Sequence, residues 1–228
     1  MTDPNHEPRY GPPHGWQFLL MADLTEQAVA RPWGQALMAL GVVHLGFFVV
    51  CQLVYWAGVR AALASIALWG GEVGAVLVVM RLVAGRDWIR ASPAIGLIAR
   101  VWVTFLILSF NVASLNSLFG WSVDWFKPVW CTLGSFGFAT MAWLFGVRLL
   151  VPAFQMYFTG LLMVRYPAWS YLIHGVSWCV ALQHLGFDLV RRRARLLATC
   201  ATGAEPAARP TRAGIRGAGA IAPGRLSE

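Results

Sequence analysis

Apolar positions along this chain gather into long runs. Residues 1–32 and 191–228 are polar or rich in Pro, Gly, Ala and Arg, and the stretch 33–190 between them is dominated by apolar side chains. A bilayer core of about 30 Å takes roughly 20 helical residues to cross. On that measure 34–58, 61–80, 101–119, 129–147 and 168–190 are spans, each broken by only a few polar residues. All are expected to be helical, because lipid offers the backbone no hydrogen-bond partner of its own. The predicted fold class is all-α, a polytopic transmembrane helical bundle.

The run 149–164 is the ambiguous piece. At about 1.5 Å per residue it reaches only about 24 Å, short of the hydrocarbon thickness. If Arg148 and Arg165 snorkel to opposite faces of a locally thinned bilayer, it is a short fifth span of six. If instead a long fourth helix breaks at Pro152, the run lies at the interface and the spans number five. Arginine decides for six. Arg81, Arg86, Arg90 and Arg100 lie between the second and third spans, only Lys127 lies in 120–128, and Arg191, Arg192, Arg193 and Arg195 follow the last span. Short Arg-rich loops stay in the cytoplasm. That places both termini inside an inner membrane and requires an even number of crossings. Trp33, Trp56, Trp102, Trp121, Trp125, Trp130 and Trp169 fall at span boundaries, where indoles form interfacial belts.

Composition agrees with this pattern. The 228 residues are 58% hydrophobic and only 12% charged, with net charge +8. Soluble domains carry about a quarter charged residues. A soluble domain is excluded, and so is disorder over most of the length, since disordered chains are poor in apolar residues. The first residues lack a basic stretch followed by an apolar core, so no cleavable signal peptide is expected. Residues 1–32 read as a cytoplasmic tail, with a short surface helix over 16–30 as the alternative, and 191–228 as a basic, disordered one. The partners expected are membrane lipids, a second copy through the Gly70/Gly74 face, or a larger membrane complex. Nothing calls for nucleic acid. Cys51, Cys131, Cys179 and Cys200 show no CxxC spacing and receive no role.

Chemistry, if any, should sit where polar groups are buried in the spans. An ionisable group at bilayer depth costs about 2.5 to 3.5 kcal/mol or more, so it persists where a partner or a function compensates. Glu72 stands mid-span among Gly70, Gly71 and Gly74, and needs a proton, a cationic partner or a water-filled cavity. Measured along each helix, His44, Glu72, Asn111 and His184 lie about 10–16 Å from the cytoplasmic end. In the last span, Ser170, His174, Ser177, Ala181, His184 and Asp188 fall within about 80° of arc. This polar stripe should face the interior, leaving Leu172, Cys179, Leu182 and Leu189 toward lipid.

Three functions fit. The first is binding or translocation of a small polar solute or ion, with proton exchange, through His44, Glu72, Asn111, His174, His184 and Asp188. The second is a non-catalytic accessory subunit in which those residues only join helices. The third is an electron-transfer subunit holding haem b between His44 and His184; otherwise no cofactor or metal is expected. No HExxH, GxSxG or nucleotide loop argues for an enzyme, so no catalytic residue is assigned.

Overall fold

The computed structural model describes residues 15–59, 62–119 and 123–201. Among them it contains seven α-helices and no strand: α1 (Gly15–Ala30), α2 (Trp33–Trp56), α3 (Ala62–Val83), α4 (Pro93–Phe119), α5 (Val123–Phe145), α6 (Leu150–Arg165) and α7 (Ser170–Ala201). The chain is an all-α helical bundle. Five segments, Trp33–Trp56, Ile66–Val83, Pro93–Asn116, Lys127–Phe145 and Val147–Arg165, are long and apolar enough to cross a membrane. They fit a membrane-embedded protein.

Helices α2 to α7 run alternately up and down. Phe47 of α2 meets Gly71 of α3, and Trp102 of α4 lies against Gly137 of α5. Ser135 of α5 donates to the Ala153 carbonyl of α6 at 2.9 Å, and Gln155 of α6 to the Ser177 carbonyl of α7 at 2.8 Å. The chain closes on itself where α7 lies antiparallel along α2. Gly34 abuts Gly186, Gly41 faces Cys179 and Leu182, and Phe48 presses on Gly175. Small residues at these crossings let the two backbones approach, which is how helices associate where no hydrophobic gradient separates protein from solvent.

The break before α6 falls at Gly146, not at Pro152. Gly146 has φ +120°, a conformation that L side chains avoid. A 3₁₀ turn, Val147–Leu149, then leads into α6. Pro152 sits in the first turn of α6, where its missing N–H breaks no helical bond. With that turn, Val147–Arg165 spans 19 residues, about 28 Å, and it packs antiparallel between α5 and α7. The expected span 168–190 starts in the 3₁₀ turn Pro167–Trp169 and continues along α7; its polar residues keep it out of the five apolar segments, yet it follows α2 from Gln52 to Gly34.

Three expectations change. Residues 15–30, expected in a tail, form α1, which is stitched across the end of the bundle. Gln17 donates to the Trp143 carbonyl, Gln27 to that of Ala91 and Arg31 to that of Ala84, at 2.8, 3.3 and 2.6 Å. Asp23 accepts from the Ala94 amide at 2.9 Å, so a carboxylate from α1 caps the positive N-terminus of α4. The second tail begins later than expected, because α7 runs on through Arg191–Arg195 to Ala201; residues 202–228 lie outside the described residues. Third, the tryptophan belt is partial. Trp56 and Trp169 are exposed and stack edge-on at 4.9 Å, but Trp33 and Trp130 are buried and Trp102 packs on Phe138 and Trp178. Trp121 and Trp125 fall outside the described side chains.

Candidate functional site

The polar residues of the interior do not form one flat layer. They follow the α2–α7 seam in three steps, each about one helical turn from the next.

The first step joins α2 to α3. His44 Nδ1 pairs with Glu72 Oε1, so the acid that composition marked as costly has a partner from a neighbouring helix. Glu72 is buried. Around His44 stand Phe48 and Trp178, with ring centroids at 4.5 and 5.3 Å. Trp178 in turn packs on Phe138 at 5.3 Å and Trp102 at 5.4 Å. Two buried nitrogens in this group, His44 Nε2 and Trp178 Nε1, have no hydrogen-bond partner among the described residues. Leaving a buried polar group unpaired costs about 1–3 kcal/mol.

The second step centres on His174 of α7. Its ring lies 6.0 Å from that of His44 and 4.7 Å from that of Phe48. Its Nδ1 is 3.0 Å from Cys131 Sγ, and the same sulfur lies 3.2 Å from Met163 Sδ. Three helices, α5, α6 and α7, thus meet at one thiol.

At the third step is Lys127, the chain's single lysine. It is fully buried, with Nζ 3.8 Å from the Tyr55 ring centroid and 4.7 Å from that of Tyr171, and 3.5 Å from the Pro167 carbonyl it donates to. Desolvated cation–π contacts of this kind reach about 2 kcal/mol. Beside it, the buried Gln52 of α2 donates to the Ala168 carbonyl at 2.8 Å and accepts the Leu172 amide at 3.2 Å. One side chain thereby satisfies a turn carbonyl and a free amide of the first turn of α7.

A half-open cleft of about 2930 Å³ runs between α3 and α4, with α2 and α7 at its back. Its walls are mostly Leu, Ile, Val, Phe and Trp. His44, Glu72, His174 and Trp178 line its depth, while Arg100, Arg148 and Arg192 line the cleft as well.

Of the six residues expected to form a polar site, His44, Glu72 and His174 come together. His184 and Asn111 are exposed on α7 and α4. Asp188 forms an i,i+4 ion pair with Arg192 at 2.7 Å, both partly exposed. His184 is exposed while His44 faces Glu72, so the pair that the haem alternative required is not assembled. The reason lies in how α7 is packed. Its Gly175, Cys179, Leu182 and Gly186 side faces α2, while Trp178 and Ala181 join the core with Phe138 and Ala153. The side expected to face lipid is therefore an interhelical seam, and His184, at the far edge of the polar stripe, turns outward. Similarly, among the described residues Gly70 and Gly74 of α3 have open space before them, and Gly71 between them meets Phe47.

Cys131, Met163, Lys127, Gln52 and Trp178 were not singled out from the sequence. A signal existed for two of them: Lys127 and Cys131 lie i,i+4 on α5 and so share one helix face. Comparison with protein-family models, with curated proteins and with solved structures finds no match.

Proposed function

We propose that this chain is a multi-pass inner-membrane protein that binds a membrane-soluble amphiphile in the cleft between α3 and α4. The ligand's polar head, carrying an acceptor oxygen, sits at His44, Glu72 and Trp178. The observation that carries this reading is the pair of unpartnered buried nitrogens, His44 Nε2 and Trp178 Nε1, at the back of a mostly apolar cleft. A hydroxyl would satisfy both, because its oxygen accepts from the indole N–H and the group either donates to or accepts from the imidazole nitrogen. The apolar walls favour a molecule with a long hydrocarbon part over a solute that is polar throughout. The Glu72 contact gives the imidazole a route for proton exchange with the bound head.

Arginine supports the orientation. Among the described residues, Arg31, Arg81, Arg86, Arg90, Arg100, Arg148, Arg191, Arg192, Arg193 and Arg195 lie toward the bundle end that carries α1, against Lys127 and Arg165 toward the other. This end is cytoplasmic on the positive-inside rule, with both termini inside.

The test is to purify the protein in nanodiscs, extract the co-purifying lipids and compare wild type with Trp178→Phe, Glu72→Gln and His184→Ala by mass spectrometry. Trp178→Phe keeps the ring and removes the N–H; the retained amphiphile should fall about tenfold, the equivalent of one hydrogen bond. Glu72→Gln should also reduce it, and His184→Ala should not. An unchanged lipid profile across all four proteins refutes the proposal.

A further inference from the structure

The cluster around Cys131 uses donors that the proposed amphiphile site does not need. Cys131 Sγ lies 3.0 Å from His174 Nδ1 and 3.2 Å from Met163 Sδ. All three residues are interior, at 0, 3 and 1% exposure. They come from α5, α7 and α6, so no single stretch of sequence brings them together. Gly160, one turn before Met163, makes the meeting possible: a Cβ there would lie 3.2 Å from that of Cys131.

We propose that Cys131 Sγ, Met163 Sδ and His174 Nδ1 form a three-coordinate site for a monovalent soft metal ion, Cu(I). A thiolate and a thioether together select soft ions, and imidazole suits copper as well; a neutral thioether is a poor ligand for Zn²⁺ or for the hard cations. With bonds of about 2.0–2.3 Å, the lengths typical of metal–imidazole and metal–thiolate contacts, three donors around one ion stand about 3.5–4 Å apart. The observed contacts need to open by less than about 1 Å to admit it. Met163 is unbranched and its thioether can swing to do so. Binding forms a sulfur–copper bond and displaces the thiol proton, which leaves to solvent. Copper enters and remains as Cu(I), so no electron is transferred. The site is flanked by Phe48 and Trp130, both buried, whose rings lie 4.7 and 6.3 Å from that of His174, an environment that suits a low-charge ion.

The experiment uses the full chain purified anaerobically in detergent, titrated with Cu(I) against the chromogenic chelator bicinchoninate. Wild type should withdraw one Cu(I) per chain, and excess Zn²⁺ should not displace it. Met163→Leu keeps the volume and removes the sulfur; since losing a partner that merely orients a ligand already costs 10–100-fold in affinity, losing the ligand itself should weaken binding by more than about tenfold. Cys131→Ser should abolish binding, and Cys51→Ser, a buried thiol on α2, should leave it unchanged. X-ray absorption of the loaded protein should show sulfur and nitrogen neighbours. Wild type that takes no Cu(I) from the chelator overturns the proposal. So does a well-behaved Met163→Leu protein that binds as wild type does, or an equal loss from Cys51→Ser. The amphiphile proposal is read by lipid analysis of Trp178→Phe, so either proposal can fail alone.

Discussion

The close backbone approach between α2 and α7 at Gly34 and Gly186 yields a sharp stability test. A Cβ built on Gly34 would come to 2.6 Å from the Gly186 carbonyl oxygen and 2.9 Å from the Val190 amide; one on Gly186 would lie 2.7 Å from the Gly34 carbonyl oxygen and 2.6 Å from Met38 Cγ. Ordinary contacts begin near 3.4 Å. Because backbone atoms are among the obstacles, no rotamer change relieves the clash, and the helices must separate along the seam that holds the interior polar groups. Overpacking of this kind costs about 1–3 kcal/mol, and the backbone contact argues for the upper part of that range. Alanine also gains roughly 1 kcal/mol of helix propensity over glycine, so the net loss for Gly34→Ala or Gly186→Ala is about 1–2 kcal/mol. At about 2–4 °C per kcal/mol for a chain of this size, the midpoint should fall by roughly 2–8 °C. Gly70→Ala and Gly74→Ala on α3 meet nothing within 4 Å; they gain propensity without strain and should melt at or slightly above wild type. Intrinsic tryptophan fluorescence during thermal unfolding in detergent reads all four variants. If Gly34→Ala and Gly186→Ala melt no lower than Gly70→Ala, α2 and α7 do not touch as described.

Other outcomes follow from individual side chains. Gln52→Leu strips the Leu172 amide of its acceptor and the Ala168 carbonyl of one donor; a loss of about 1–3 kcal/mol is expected, with faster amide exchange in the first turn of α7. Lys127→Met keeps the aliphatic stem but removes the charge between Tyr55 and Tyr171, and should lower the melting midpoint in line with about 2 kcal/mol. Asp23→Ala uncaps α4 and should cost about 1 kcal/mol, visible as earlier proteolysis within 15–30. His184→Ala and Asn111→Ala alter exposed positions and should change stability by no more than about 0.5 kcal/mol.

What was legible in the sequence is what a bilayer imposes on any chain. Apolar runs of spanning length marked most of the bundle helices, because backbone satisfaction in lipid leaves little choice but a helix. Arginines flanking 149–164 marked it as a span, and the antiparallel packing of α6 agrees. Glu72 and His44 were legible as well: cost at depth marks a residue, and similar distance from one end of the bundle marks its partner. Azimuth was not legible. Depth follows from counting residues, but the side a helix turns inward depends on which neighbours it meets, and one-helix periodicity cannot supply that. On α7 the polar stripe suggested an interior centred on Ser170, Ala181 and Asp188. The glycines at 175 and 186 draw the other flank onto α2, which rotates His184 out and leaves His174 in.

The same argument explains why the residues that best define the interior escaped notice. Cys131, Met163, Trp178 and Gln52 are unremarkable members of apolar runs, and each acquires a role only through an atom on another helix. His174 is the exception that links both readings. Its ring stands 6.0 Å from His44 and its Nδ1 3.0 Å from Cys131, so it sits between the cleft and the thiol. A metal bound at Cys131 would fix the His174 ring and, through Phe48, the packing of His44. Copper loading and amphiphile retention should therefore be coupled reciprocally, since any change one ligand makes in the affinity for the other must be matched in return. The measurement is the Cu(I) competition repeated on lipid-stripped and lipid-replete protein. Equal affinities in the two would mean that His174 separates two independent sites.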